Sequence, residues 1–332
     1  MIAPTTDQQS IERQVPADPN ARLSLTVSER VIEADDVVSL TLVDPSGAPL
    51  PEWTPGSHID VHIGNDLVRQ YSLSSHVRDR DMWRVSVLRE AEGGGGSHAV
   101  HEQVQVGSTV TVSMPRNNFV LHPSKNYVFV AGGLGITPLV PMLEAATESS
   151  AEWNLVYAGR TRSSMAFIEE LAHHGDRVTL VPSDDSGRMD FAEYFREVKP
   201  DTLVYACGPE SLLLALEDAT RHWPVDTLHT ERFVAREFDD TGDVEFEVEF
   251  VDSGLTLTIP VGTSILDIAE QNDLPVISSC GEGTCGTCET VVLGGIPDHR
   301  DSILTDSERE NSKTMFICVS RSKDGCTLKL DL

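Results

Sequence analysis

Long apolar stretches are missing from this chain of 332 residues. No run approaches the ~18 residues that a helix needs to cross a bilayer. Residues 1–20 are polar and proline-bearing, without the basic start and apolar core of a secretory signal. They read as a disordered tail, and the expected compartment is the cytoplasm. Positive charge is scarce: 25 Lys and Arg stand against 53 Asp and Glu, a formal net charge of −28. Binding to phosphate backbones needs clustered Lys and Arg, so nucleic acid is excluded as a partner. The acidity serves solubility and can steer the chain toward a basic protein face. Cysteine is nearly absent from the first 279 residues, where Cys207 stands alone. The other five (Cys280, Cys285, Cys288, Cys318 and Cys326) fall in the last fifty-three. In a cytosolic chain such clustering favours metal or cluster ligation over disulfides.

The length predicts two to three domains. Residues 21–122 read as short alternating strands with turns between them, among them Arg22-Leu-Ser-Leu-Thr-Val, His58-Ile-Asp-Val-His-Ile and Trp83-Arg-Val-Ser-Val-Leu88. That density predicts an antiparallel β-barrel or sandwich. Over 123–234 apolar strands alternate with helical stretches, which predicts a doubly wound α/β unit. A charged linker at 235–243 leads to a small α+β unit over 244–332, with two strands, a helix from about Ser264 and a cysteine loop. The chain shows no internal repeat, and its one glycine run is at 93–96.

Cys280-Gly-Glu-Gly-Thr-Cys285-Gly-Thr-Cys288, with Cys318 thirty positions on, has the plant-type [2Fe–2S] spacing. Four thiolates must reach two irons, so three come from one tight loop and the fourth from a returning segment. Gly281, Gly283 and Gly286 let backbone N–H groups turn toward cluster sulfur. Zinc, or unligated thiols, are the other readings, although zinc sites usually pair two C-x2-C knuckles and only one is present. Cys326 reads as a bystander in the final strand.

Arg69-Gln-Tyr71-Ser72-Leu73-Ser74 follows a barrel strand. Its Arg can pair with a phosphate, its Tyr can stack along a flavin and its Ser can hydrogen-bond the ring. Gly95-Gly96-Ser97 opens a helical stretch and can bring backbone N–H groups to a phosphate, or be only a surface turn. Leu73 and Leu88 close their strands as apolar flank to the same cofactor. His98 and His101 read as helix-surface or packing residues. Ala131-Gly132-Gly133-Leu134-Gly135-Ile136-Thr137-Pro138 is strand, glycine turn and helix start, a dinucleotide pyrophosphate site without the usual glycine spacing. Cys207-Gly208-Pro209 ends a later strand at the same carboxyl edge, where a small thiol leaves room for a flat ring.

In this order the motifs resemble the phthalate dioxygenase reductase family of the ferredoxin–NADP reductase superfamily, over about 21–332. The matches are Arg69-x-Tyr71-Ser72, Gly95-Gly96-Ser97, the 131–138 turn, Cys207-Gly208-Pro209, Glu231-Arg232-Phe233 and the four cysteines. Vanillate O-demethylase reductases look similar throughout. The resemblance implies FMN, a [2Fe–2S] cluster held by Cys280, Cys285, Cys288 and Cys318, and NADH. Arg69, Tyr71, Ser72, Gly96 and Ser97 would contact flavin. Gly132, Gly133, Gly135 and Thr137 would take the pyrophosphate. Cys207, with Gly208 and Pro209, would border the nicotinamide, and Phe233 would lie near the flavin. Ser72, Cys207 and Phe233 would flank the reacting rings. Relatives often carry an Arg just before the Gly-Gly-Ser turn where Gly93 and Gly94 stand here, which keeps FAD open; Arg89 could substitute. Arg160 and Arg162, after the second strand of the nucleotide unit, keep NADPH open. The implied partner is a terminal oxygenase, of the Rieske non-haem iron type acting on aromatic compounds, with a cytochrome P450 as the alternative acceptor. A free-standing flavin reductase with a sensory cluster and a zinc-stapled redox scaffold are the competing readings.

Overall fold

A computed structural model of the chain describes residues 18, 21–63, 67–90, 95–236 and 238–332. The expected tail, apart from Asp18, and Gly93 and Gly94 lie outside the described residues.

The first unit is an antiparallel barrel of β1 (Arg22–Ala34), β2 (Val37–Val43), β3 (Ser57–Ile63), β4 (Leu67–Ser72), β5 (Trp83–Leu88), β6 (Thr109–Ser113) and β7 (Arg116–Asn117). The order is β4-β3-β6-β1-β2-β5, with β7 beside β3. A bridge between Leu73 and Val85 joins the two ends. Strict alternation sends Leu25, Val27, Leu40, Leu42, Ile59, Val61, Val85, Val87, Val110 and Val112 into one core. Burying each such side chain contributes about 1.5–3 kcal/mol before the entropy cost of folding.

The second unit holds β8 (Asn126–Gly132), β9 (Glu152–Gly159), β10 (Val178–Pro182), β11 (Thr202–Cys207) and β12 (Leu228–Glu231), all parallel in the order β10-β9-β8-β11-β12. These strands are apolar on both faces because helices cover both sides, giving two clusters of buried side chains. Sheet growth reverses between β8 and β11, and ligands bind beyond the carboxyl ends of strands at such a switch point.

The third unit contains β13 (Phe246–Phe250), β14 (Leu255–Ile259), β15 (Glu289–Gly294), β16 (Pro297–Asp298), β17 (Thr314–Phe316), β18 (Arg321–Ser322) and β19 (Leu328–Leu330). Its main sheet runs β14-β13-β19-β15-β17, with β13 and β19 parallel, and β16 pairs β18. The helix Ile265–Gln271 packs Ile265, Leu266 and Ala269 beneath it. Ser264 starts that helix with a capping box closed by Asp267. No helix among the described residues is long and apolar enough to cross a membrane.

Candidate functional site

The cysteine loop leaves β14's helix and returns into β15. Gly281, Gly283 and Gly286 all have positive φ, at 70°, 69° and 78°, and this left-handed backbone turns the loop tightly enough to aim amides inward. The N–H of Glu282 donates to Cys280 Sγ at 3.3 Å, and that of Thr287 to Cys285 Sγ at 3.4 Å. The thiols gather in two pairs. Interaction with Cys285 pulls the Cys280 thiol down to about 5, and the same interaction together with burial pushes Cys285 up. Interaction with Cys288, together with burial, pushes the Cys318 thiol far up. Cys318 arrives just past β17, so the returning segment expected from the spacing is there. Among the described residues no three or more His, Cys, Asp or Glu side chains surround a single cation position. Two pairs suit a two-iron cluster in which each iron takes two thiolates. Cys326 precedes β19 rather than lying in it, and its sulfur contacts Ser322 Oγ at 3.2 Å.

On the barrel, alternation places Arg69 and Tyr71 on one face of β4 and Gln70 and Ser72 on the other. Arg69 lies over the start of the helix Gly96–Gln103: a Cβ on Gly96 would fall 2.7 Å from Arg69 Cγ. Gly95, at φ 80°, opens that helix and leaves its first N–H groups free of any side-chain cap. An arginine and an uncapped helix N-terminus at one point suit a phosphate. Burial raises the Tyr71 phenol well above its ordinary range, so it stays protonated as a donor. Ser72 and Leu73 are buried and Leu88 is 38% exposed. Arg89 pairs with Glu102 at 3.0 Å, on the helix rather than before it. His98 and His101 hydrogen-bond the carbonyls of Glu90 and Val87.

At the switch point the 131–138 turn and the Cys207-Gly208-Pro209 turn touch. A Cβ on Gly135 would fall 2.2 Å from the Cys207 carbonyl oxygen, and one on Gly208 2.9 Å from Gly132 Cα. Only glycine allows this approach, which packs the two turns backbone against backbone. A 3-10 turn, Gly133–Ile136, precedes the helix Leu139–Glu148, so that helix begins one residue after Pro138. Cys207 is fully buried, and burial raises its thiol well above the ordinary range. It stands beside Glu231 on β12. Arg232 anchors the strand end to the helix Glu210–Thr220 through Glu210 at 2.8 Å and Glu217 at 2.6 Å. The next residue, Phe233, is left 46% exposed.

Glu231 is a feature that the motifs named without a role. Its residue is half-buried, yet Oε2 has neither solvent nor a hydrogen-bond partner, and burial pushes the carboxyl up to about 8. An orphaned acceptor suits an amide NH2 such as that of a nicotinamide. A carboxyl raised in the folded state opposes folding as pH climbs from its ordinary value toward the raised one. Glu231→Gln should therefore stabilise the chain by an amount that grows from about pH 4.5 to about pH 8, on the order of a few kcal/mol, and levels off above that. Thermal melts at the two pH values test this; an equal gain at both would contradict it.

A model for the 2Fe-2S iron-sulfur cluster binding domain matches residues 249–323, and one for the oxidoreductase NAD-binding domain matches 129–218. The chain is 39% identical to the carnitine monooxygenase reductase subunit of Escherichia coli (strain K12) over 90% of its own length and 94% of the relative's. It is 36% identical to phthalate dioxygenase reductase of Burkholderia cepacia, over 94% and 97%. Among solved structures, an intact type IV self-sufficient cytochrome P450 monooxygenase superposes with a TM-score of 0.88 at 44% identity; 94% of this chain spans 41% of that one. The match spans nearly the whole of the carnitine and phthalate relatives, and the cofactors that the two domains and these relatives imply are FMN, NADH and one [2Fe–2S] cluster. The chain belongs to the phthalate dioxygenase reductase family, the reductase components of oxygenase systems.

Proposed function

We propose that this chain takes hydride from NADH and delivers single electrons to a Rieske non-haem iron oxygenase acting on an aromatic acid or ether, in the cytoplasm. The observation that carries the reading is the thiol arrangement, Cys280, Cys285 and Cys288 on one glycine loop and Cys318 on the returning segment, in a chain whose residues 129–218 match an NAD-binding domain. The bound cofactors supply the redox chemistry, a flavin that accepts a hydride and a cluster that takes one electron at a time.

The protein's part is binding and orientation. Arg69 and the helix N-terminus at Gly96 and Ser97 would hold the flavin phosphate, with Tyr71, Ser72, Leu73 and Leu88 along the ring. The backbone of Gly132, Gly133 and Gly135, with Thr137, would hold the dinucleotide pyrophosphate. Cys207, Gly208 and Pro209 would border the nicotinamide, and its amide would donate to Glu231. Phe233 is an exposed ring of the kind a flavin or nicotinamide would cover. Cys280, Cys285, Cys288 and Cys318 would ligate the irons. No side chain has to act as general acid or base.

Residues 239–332 hold 19 Asp and Glu against 6 Lys and Arg, a net of −13. That excess supports docking on a basic face of the oxygenase. Reduction of the oxygenase should slow several-fold as ionic strength rises from about 50 to 500 mM, because the screening length shrinks. Stopped-flow reduction of candidate oxygenases at stepped salt measures this, and a flat profile would remove the steering. A second reading, in which the acceptor is a cytochrome P450, draws on the 44% identity to the P450 fusion. Product formation with one acceptor type and not the other separates the two.

A further inference from the structure

A barrel strand does not ordinarily bury charge, yet β3 does. His58 is 4% exposed and Asp60 1%, with Arg116 at 6% on β7 beside them. Asp60 pairs with Arg116 at 2.5 Å. Burial alone would raise the Asp60 carboxyl, but the Arg116 charge and its hydrogen bonds hold it below the usual carboxylate range. Such a pair costs desolvation that apolar side chains would avoid, so its position calls for a reason.

The reason is on the cluster unit. Asp60 Oδ2 accepts a hydrogen bond from Ser279 Oγ at 2.8 Å, one residue before Cys280. Asn118, just after β7, donates from Nδ2 to the Cys285 carbonyl at 2.9 Å. His58 lies buried beside Asp60 and Arg116, and its Nε2 has no hydrogen-bond partner among the described residues. A Cβ on Gly286 would meet Asn118 Nδ2 at 2.6 Å, so loop and barrel are flush there. In the β3–β4 register His58 opposes Ser72 and Asp60 opposes Gln70, so all four side chains share one face. The strand assigned to flavin and the loop assigned to the cluster therefore meet across one strand spacing.

We propose that Asp60 and Asn118 form a dock that clamps the cluster loop onto the flavin barrel at Ser279 and Cys285, so that electrons pass from flavin to cluster without movement of the cluster unit. This rests on the functional reading above. The step served moves one electron from reduced flavin to oxidised cluster and makes or breaks no bond at the dock. These are positioning residues: Asp60 touches the Ser279 hydroxyl and Asn118 the Cys285 carbonyl, and both act through the place at which the loop would hold the irons.

The holoenzyme is mixed anaerobically with NADH, and the flavin and cluster bands are followed separately. In the native protein, cluster reduction should keep its rate as glycerol raises the viscosity. Asn118→Leu keeps the volume and loses the donor. It should leave NADH-to-flavin reduction within about twofold, slow flavin-to-cluster transfer at least tenfold and shift the cluster midpoint potential, and Asn118→Gln should restore much of the rate. If Asn118→Leu loses iron, Ser279→Ala, which removes only the bond to Asp60, should still slow the transfer. A native rate that falls in proportion to viscosity, or transfer in both variants at the native rate, would overturn the dock. Failure of NADH to reduce the flavin of the native protein would instead overturn the functional reading.

Discussion

Replacing Cys318 with alanine should abolish electron delivery through the cluster by at least ~100-fold while NADH-dependent flavin reduction stays within about twofold. Cys318 is 8% exposed and packs in the core of the third unit with Cys288, Met315 and Phe316. It is the thiol supplied from outside the 280–288 loop, so its loss leaves one iron with a single protein thiolate. The barrel and the nucleotide unit keep their own cores, which share no side chain with that of the third unit. Iron and acid-labile sulfide per chain measure the loss directly. Cys326→Ala is the control: its sulfur faces Ser322 and Ile296, and iron content should not change. Full iron in the Cys318 variant, or loss of iron in the Cys326 variant, would reassign the ligands.

Arg69→Ala should weaken flavin binding by roughly 100-fold. A guanidinium on a phosphate makes charge-assisted hydrogen bonds worth about 1.5–3 kcal/mol each, and each 1.4 kcal/mol is a factor of ten. Arg69 is held for this by its donation to the Val68 carbonyl at 2.8 Å and by the absence of a side chain at Gly96. Arg69→Lys should recover only part, since a lysine keeps the charge without the planar fork. Fluorescence titration of the apoprotein with FMN gives the dissociation constants, and the same titration with FAD compares the two flavins. An unchanged constant for FMN would remove Arg69 from the phosphate site.

How much of this was legible from residues follows from how local each signal is. The cysteine spacing, the glycine turn after β8 and the strand periods are short-range patterns, and the barrel strands, the parallel sheet and the returning Cys318 segment follow them, while Cys326 falls before the final strand instead of in it. The 3-10 turn at Gly133–Ile136 was not legible, because glycines permit many turns and the choice is made by packing against Cys207 and Gly208. The dock was missed for a different reason. Asn118 and Cys285 are 167 positions apart, and Ser279 and Asp60 219 apart, so no periodicity joins them. A signal did exist in His58-Ile-Asp60-Val-His62, where polar residues alternate through an apolar strand. Water could equally have covered that face, and only the fold shows that another unit covers it. Glu231 stood inside a motif, but its missing partner becomes visible only once β11 and β12 are paired.

The central claim is one relay from nucleotide to flavin to cluster within this chain. It is tested most directly by the visible spectrum of the purified protein under anaerobic titration with NADH. The account predicts flavin bands together with the broad thiolate-to-iron absorption, and bleaching of both by NADH. Flavin bands without the iron–sulfur absorption, in protein prepared without air, would contradict it and leave a plain flavin reductase with an unexplained cysteine loop.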